Sequence, residues 1–368
     1  MMKYCKRCVM PPTRPRITFD EEGVCSACRH WGNKKNIDWN ARKQILKEFC
    51  DRYRSKDGSF DVVVPVGGGK DSSYVTWKLK HEFGMHPLCV STRPPLQTQL
   101  GEINLKNFVK SGFHLIEVVP NPQVAREIAK EGFIKNGQPQ IDWLFAIKCV
   151  PLRIAMQFGI KMIVYGEEGE SEYGGSKELE NKFSHNIDHV KRFYFSGLNA
   201  KDYLPNANKA DLYWFTLPTE QELDKFRDLC ITHWSNFEYW DEYMHTDFAI
   251  KNCGLVLADK NMPGSYNKHT HLDQVIYHLH MYLAYLKFGF ARATTDACID
   301  LRYGRLTREE AIRLIKEYDH KFPYEYLQLY LEYFDMDEDE FWQTLEKFRN
   351  KNIFEKVNGE WRLKSELK

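Results

Sequence analysis

Short β-branched runs alternate along this chain with stretches whose apolar positions recur at helical spacing. Phe60–Val66 (FDVVVPV) is a run of the kind that becomes a buried parallel strand. Gly67–Asp71 interrupts it, and Ser72–Glu82 then reads as a helix. The alternation continues with Pro87–Thr92 as strand, Glu102–Lys110 as helix, His114–Val119 as strand and Gln123–Glu131 as helix. Val150–Phe158 follows as helix and Lys161–Tyr165 as strand. Alternating β and α elements predict an α/β fold built on a doubly wound parallel sheet, with ligands at the carboxyl ends of its strands.

The flanks read differently. Residues 1 to about 35 have too few apolar positions for a core of their own, and Trp39–Tyr53 predicts a helix on Trp39, Ile45, Leu46 and Phe49. After Gly166 the pattern weakens through a polar, aromatic stretch to about residue 215, which suggests an insertion or substrate-facing loops. Beyond it the chain is mainly helical: Leu272–Phe288 is strongly apolar, Thr307 and Glu310 form a capping signal, and Asp337–Arg349 is a further helix. Val357–Trp361, with Asn-Gly at its centre, predicts a terminal hairpin. The expected division is residues 1–55 as an N-terminal metal module with a linking helix, 56–215 as the nucleotide-binding domain, and 216–368 as a mainly helical region for substrate or partner.

Composition narrows the function. With 52 basic against 51 acidic residues the net charge is +1, so no chain-wide positive field gathers phosphate backbones and a nucleic-acid partner is disfavoured. The absence of a long apolar run and of an apolar segment behind Met1 leads to the expectation of a cytoplasmic protein with no membrane partner. Among the 10 cysteines, Cys5-x2-Cys8 and Cys25-x2-Cys28 stand sixteen residues apart. That is the spacing by which two knuckles place four thiolates around a tetrahedral ion, and a closed set of four cysteines suits structural Zn2+ rather than catalysis. The other thiols, Cys149 among them, read as packed side chains.

The second chemical signal is Gly67-Gly68-Gly69-Lys70-Asp71-Ser72-Ser73, between the first strand and its helix. Glycines let backbone N–H groups turn inward, the helix N-terminus adds partial positive charge, and Lys70, Ser72 and Ser73 complete a phosphate cradle. It is not a Walker A loop, because Lys70 is followed by Asp71.

These residues resemble the Ser-Gly-Gly-x-Asp-Ser loop of the PP-loop ATP pyrophosphatases, with Gly67 in the place of the serine. Phe158–Glu167, Asn261–Tyr266, Lys287–Asp296 and Gly304–Glu310 extend the likeness. Together with the cysteine knuckles, the chain is similar to the N-acetyl sugar amidotransferases of bacterial surface-polysaccharide (lipopolysaccharide O-antigen) and flagellin-glycan synthesis. The resemblance implies an enzyme that uses ATP and Mg2+ to convert an acetamido group on an activated N-acetyl sugar into an acetamidino group, releasing AMP and pyrophosphate. It also implies ammonia delivered by separate glutaminase and cyclase-like subunits resembling imidazole glycerol phosphate synthase.

On this reading Lys70, Asp71 and Glu167 are the catalytic candidates, with Asp71 a ligand for Mg2+. Gly67 to Ser73 and Gly166 bind ATP and pyrophosphate, and Ser91 and Thr92, which end the second strand, face the adenosine. Lys287, Arg292 and Asp296 combine two cations and a carboxylate in an otherwise apolar segment and are candidates for pyrophosphate or sugar recognition. Glu168 and Glu170 are equally readable as ligands or as a solvated loop, whereas His269, His271, His278 and His280 read as surface or core residues. Two rivals remain: a PP-loop tRNA-modifying enzyme, which predicts a basic face, and a zinc-ribbon module that binds ATP without splitting it.

Overall fold

The computed structural model describes residues 2–175, 182–365 and 367. Five parallel strands form its central sheet: β1 (Val62–Pro65), β2 (Pro87–Thr92), β3 (His114–Val118), β4 (Met162–Tyr165) and β5 (Cys230–His233), in the order β3-β2-β1-β4-β5. Side chains alternate between two cores as the pleat requires. Val63, Leu88, Val90, Ile163 and Ile231 join one cluster, while Val62, Val64, Cys89, Met162 and Val164 join the other. Burial on both faces is why these strands read as unbroken apolar runs.

The helices that cover the sheet begin with α1 (Ser26–Asn33), α2 (Trp39–Tyr53), α3 (Lys70–His81), α4 (Gln99–Lys110), α5 (Pro122–Asn136) and α6 (Ile141–Gln157). Asp38 caps α2 and Thr98 caps α4. Helix α5 starts on Asn121 with Pro122 in its first turn and ends on the left-handed Gly137. Helix α6 begins nine residues before the expected Val150 and carries Pro151 in its interior. Proline cannot donate to the carbonyl four residues back. That carbonyl, Ile147 O, accepts instead from the Tyr165 hydroxyl at 3.4 Å, so a residue of β4 makes up the lost bond.

Strand β5 lies beyond the expected boundary at residue 215, and it pairs with β4 from Met162↔Cys230 to Tyr165↔His233. The sheet therefore draws on both the 56–215 segment and the segment expected to be mainly helical. The remainder is helical, including Glu242–Cys253, Ile276–Phe288, Arg292–Arg302, Arg308–Tyr318 and Glu338–Lys347, with Thr307 and Glu310 forming the capping box. A hairpin of β6 (Phe354–Val357) and β7 (Glu360–Leu363) follows, turning on Asn358 and Gly359, both at positive φ. Of the polar stretch expected to be an insertion, residues 176–181 fall outside the described set.

The cysteine knuckles share a core with the C-terminal helices. Cys5, Cys8, Val9, Met10, Cys25 and Cys28 pack with Phe290, Ala297, Cys298, Ala311 and Ile315. A segment too poor in apolar residues to fold alone thus borrows its core. Among the described residues, no helix is long and apolar enough to cross a membrane.

Candidate functional site

The chain leaves β1 toward β2 on one side and reaches β4 on the other, so the carboxyl ends of β1 and β4 flank the switch in strand order. A crevice opens at such a point. Here it is a cleft of about 340 Å³ lined by the loop after β1 (Gly67–Ser72), by Gly166 and Glu167 after β4, and by Glu242, His269, His271, Asp273 and Arg292.

Gly68 has to be glycine on two counts. Its φ is +77°, and a Cβ there would sit 2.6 Å from the Leu105 backbone nitrogen. The loop therefore lies flat on α4 and runs into α3 through the N-cap Gly69. No side chain caps α3, so its first N–H groups are open to an anion from the cleft.

Lys70 and Asp71 occupy the first turn of α3. The Lys70 ammonium lies 3.0 Å from Asp71 Oδ2 and 3.7 Å from Glu242 Oε2, and His245 Nδ1 lies 2.9 Å from Asp71 Oδ1. Burial opposes ionisation of Asp71, but Lys70 and His245 outweigh it and hold the carboxyl well below its usual range. Burial likewise opposes the charge on Lys70, and Asp71 and Glu242 raise its affinity for the proton. Glu167 is the opposite case. Burial, reinforced by the charge of Asp71, pushes it up to about 7.

Across the cleft, the Arg292 guanidinium meets Asp296 Oδ1 at 2.6 Å, Thr270 Oγ1 at 3.3 Å and His271 Nε2 at 3.5 Å. Asp296 is held by Ser265 Oγ at 2.6 Å and Asn267 Nδ2 at 2.7 Å, so its role is to aim Arg292. Burial and the neighbouring Arg292 keep His271 neutral at physiological pH, and burial together with Lys70 brings His269 down to about 4. Each neutral ring therefore offers a nitrogen lone pair as a hydrogen-bond acceptor.

Of the candidates read from sequence, the cleft gathers Gly67, Gly68, Gly69, Lys70, Asp71, Ser72, Gly166, Glu167 and Arg292. Ser73 is buried in the body of α3, and Ser91 and Thr92 are buried at the end of β2, so none of the three lines it. Lys287 is elsewhere: its ammonium reaches Asn136 O at 2.6 Å and Gly137 O at 2.7 Å, closing the C-terminus of α5. Glu170 pairs with Arg16, whose Nε donates at 2.9 Å, and Glu168 is fully buried. The structure adds Glu242, His245, Asp273, His269 and His271 to the site, none of which the sequence singles out, and the last two read there as surface or core residues.

Cys5, Cys8, Cys25 and Cys28 converge with all four sulfurs within 4.8 Å of one another, and all four are buried. Cys8 Sγ and Cys25 Sγ are 3.5 Å apart, Cys5 Sγ and Cys28 Sγ 3.9 Å. A tetrahedral ion with metal–sulfur bonds of about 2.3 Å requires sulfur–sulfur edges of about 3.8 Å, so the cluster fits a single ion. Thiolates on separate irons of a four-iron cluster would stand farther apart. Buried Arg302 lies in the field of these sulfurs, a cation against the excess negative charge of four thiolates.

Much of the wall facing the glycine loop, from His269 to Asp273 and Arg292, belongs to the C-terminal third of the chain. Residues 260–368 match the family model described as LPS biosynthesis protein WbpG-like, C-terminal domain. The WbpG-like segment thus supplies Arg292, its partners and the two cleft histidines. No curated protein matches the sequence. Solved structures similar to the chain include an NH3-dependent NAD synthetase from Campylobacter jejuni subsp. jejuni, at 12% identity and a TM-score of 0.30, covering 50% of this chain and 99% of that one. A U34-tRNA thiolase NcsA from Methanococcus maripaludis, with its [4Fe-4S] cluster, is similar at 11% identity and a TM-score of 0.30, covering 86% of this chain and 89% of that one.

Proposed function

We propose that the protein is an ATP-dependent amidotransferase of surface-polysaccharide synthesis, which replaces the acetamido oxygen of an activated N-acetyl sugar with ammonia-derived nitrogen. The observation that carries this reading is the meeting, in one cleft, of a glycine loop at a helix N-terminus with Arg292 from the WbpG-like segment.

An amide oxygen is a poor leaving group, so ammonia alone does not convert an amide to an amidine. Attack of that oxygen on the α-phosphorus of ATP breaks the bond to the β-phosphate and releases pyrophosphate, leaving an adenylylated imidate. Ammonia then adds to the imidate carbon, AMP departs with the original oxygen, and the nitrogen loses a proton. The protein's part is positioning and charge stabilisation. Open N–H groups of α3, with Lys70 and Ser72, receive the pyrophosphate, and Arg292 offers a second cation from the facing wall. Asp71 is the carboxylate suited to hold Mg2+, which would supply neutralising charge to the phosphates. With its affinity for protons set near neutrality, Glu167 is suited to take the proton released by the incoming nitrogen.

Zinc is our choice for the cysteine cluster, on the tetrahedral edge lengths. Cytoplasmic residence, and ammonia from glutaminase and cyclase-like subunits, complete the reading; no glutaminase motif is recognisable in this chain. The test is to incubate the protein with Mg-ATP, ammonium and a panel of nucleotide-activated N-acetyl sugars. Sugar-dependent AMP and a product about one mass unit lighter support the proposal, whereas ATP binding without AMP formation for any sugar removes it.

A further inference from the structure

We infer that the protein carries a second metal site, built from Glu168, His185 and His189 with His233 beside them, that takes a divalent transition-metal ion with nitrogen and oxygen ligands. All four residues are buried, Glu168 at 0% and His233 at 1% exposure. Glu168 follows β4, His233 ends the neighbouring β5, His185 bridges to Ile231 of β5, and His189 ends the short helix Ile187–His189. Four side chains from three separated stretches of sequence therefore meet at one edge of the sheet.

The ligand atoms of Glu168, His185 and His189 all lie within 4.8 Å of one another. Glu168 Oε2 lies 3.2 Å from His233 Nδ1, 3.4 Å from His189 Nε2 and 3.5 Å from His185 Nε2. A tetrahedral ion with bonds of about 2.0–2.1 Å to nitrogen and oxygen requires ligand–ligand edges of about 3.3–3.4 Å, and the distances from Glu168 Oε2 to His189 and His185 stand near that value, while His233 touches the carboxylate without joining the mutual cluster. None of these four atoms has a hydrogen-bond partner among the described residues. Four buried, unpartnered polar atoms are costly, and one cation between Glu168, His185 and His189 satisfies three of them together.

The surroundings are arranged as metal ligands require. The other carboxylate oxygen of Glu168 accepts from the Glu170 backbone N–H at 3.2 Å and lies 3.5 Å from the Tyr194 hydroxyl. That hydroxyl is also 3.4 Å from His233 Nε2, the nitrogen turned away from the centre. No lysine or arginine pairs with Glu168 among the described residues. The nearby Lys148 ammonium sits over the rings of Tyr165, at 3.9 Å, and Tyr194, at 3.7 Å. A separate cavity of about 470 Å³, lined by His185 and His189, lies beside the cluster.

Two imidazoles and one carboxylate suit Zn2+, with Fe2+ and Co2+ as alternatives of the same donor preference. Glu168 adjoins Glu167 of the cleft wall, so a bound ion ties that wall to β5 and to the 182–194 segment.

The test is metal analysis of the full-length protein after dialysis against Zn2+, and cobalt absorption after exchange. The prediction is two equivalents per chain, one for each cluster, of which one has thiolate charge-transfer bands and the other only the weaker bands of nitrogen and oxygen ligation. His185→Asn with His189→Asn loses the second equivalent and keeps the thiolate signature. Glu168→Gln, nearly identical in shape, weakens the same equivalent at least tenfold and serves if the double variant does not fold. Limited proteolysis within residues 182–194 accelerates when that equivalent is removed. A single, all-sulfur equivalent in the wild-type protein overturns the site, as does a second equivalent that persists in the variants.

Discussion

Asp71 is held from both sides, by Lys70 Nζ at 3.0 Å and by His245 Nδ1 at 2.9 Å, and the histidine comes from a helix 174 residues further along the chain. The imidazole is fully buried, with Tyr74 stacked on it at 4.3 Å and Trp240 edge-on at 4.3 Å, so it has little freedom to turn. An ionised carboxylate fixed beside the glycine loop is a rigid point of charge.

Asp71→Asn is therefore expected to lower AMP formation by roughly a hundredfold or more while leaving circular dichroism unchanged. His245→Gln, which removes only the positioning contact, should cost roughly tenfold in kcat with a smaller change in KM for ATP. Normal turnover in the Asp71 variant would remove the loop from the chemistry.

Because Glu167 is pushed up to about 7, it is neutral in acid and ionised above that pH. As a base it works only in the ionised form, so kcat/KM calculated on the unprotonated NH3 present at each pH should rise with pH to a plateau above about 7. Glu167→Gln should lower the plateau and abolish that limb. An unchanged limb in the variant would assign the ionisation to another group.

Lys287 and Arg292 lie five residues apart and should separate cleanly. Lys287→Met leaves two helix-end carbonyls without their donor and is expected to cost about 1–3 kcal/mol in urea unfolding, with turnover per folded molecule unaltered. Arg292→Met should do the reverse in function, raising KM for ATP or sugar at least tenfold.

Gly68→Ala places a methyl group against Leu105 at a φ that L-residues disfavour. The expected loss is about 1–3 kcal/mol, or a displaced loop with weakened ATP binding, read by denaturation and by calorimetry with ATP.

How much of this is legible in the sequence depends on whether the signal is local. The Val62–Val64 run, the glycine loop and the paired cysteines each lie within a few residues, and each stands in the structure as element or cluster. Strand β5 is not legible: Cys230–His233 is four residues long and buried throughout, so it shows no alternation to separate it from the helical segments around it. Helix α6 reads short from sequence because Pro151 looks like a first-turn residue until Tyr165 is seen to serve the carbonyl it leaves free. Glu242 and His245 have no motif of their own. They enter the cleft because helix Glu242–Cys253 packs on α3, a contact between distant parts of the chain. Lys287 and Arg292 look alike as cations in an apolar segment, and only the fold shows that one ends a helix and the other faces the cleft.

The central claim is that the acetamido oxygen itself is adenylylated, and an isotope experiment tests it directly. A nucleotide-activated sugar labelled with 18O in its acetamido carbonyl is incubated with Mg-ATP and ammonium, and the AMP formed is examined by mass spectrometry. The account predicts one 18O in the phosphate of every AMP released with product. AMP without the label, or ADP in its place, would contradict it.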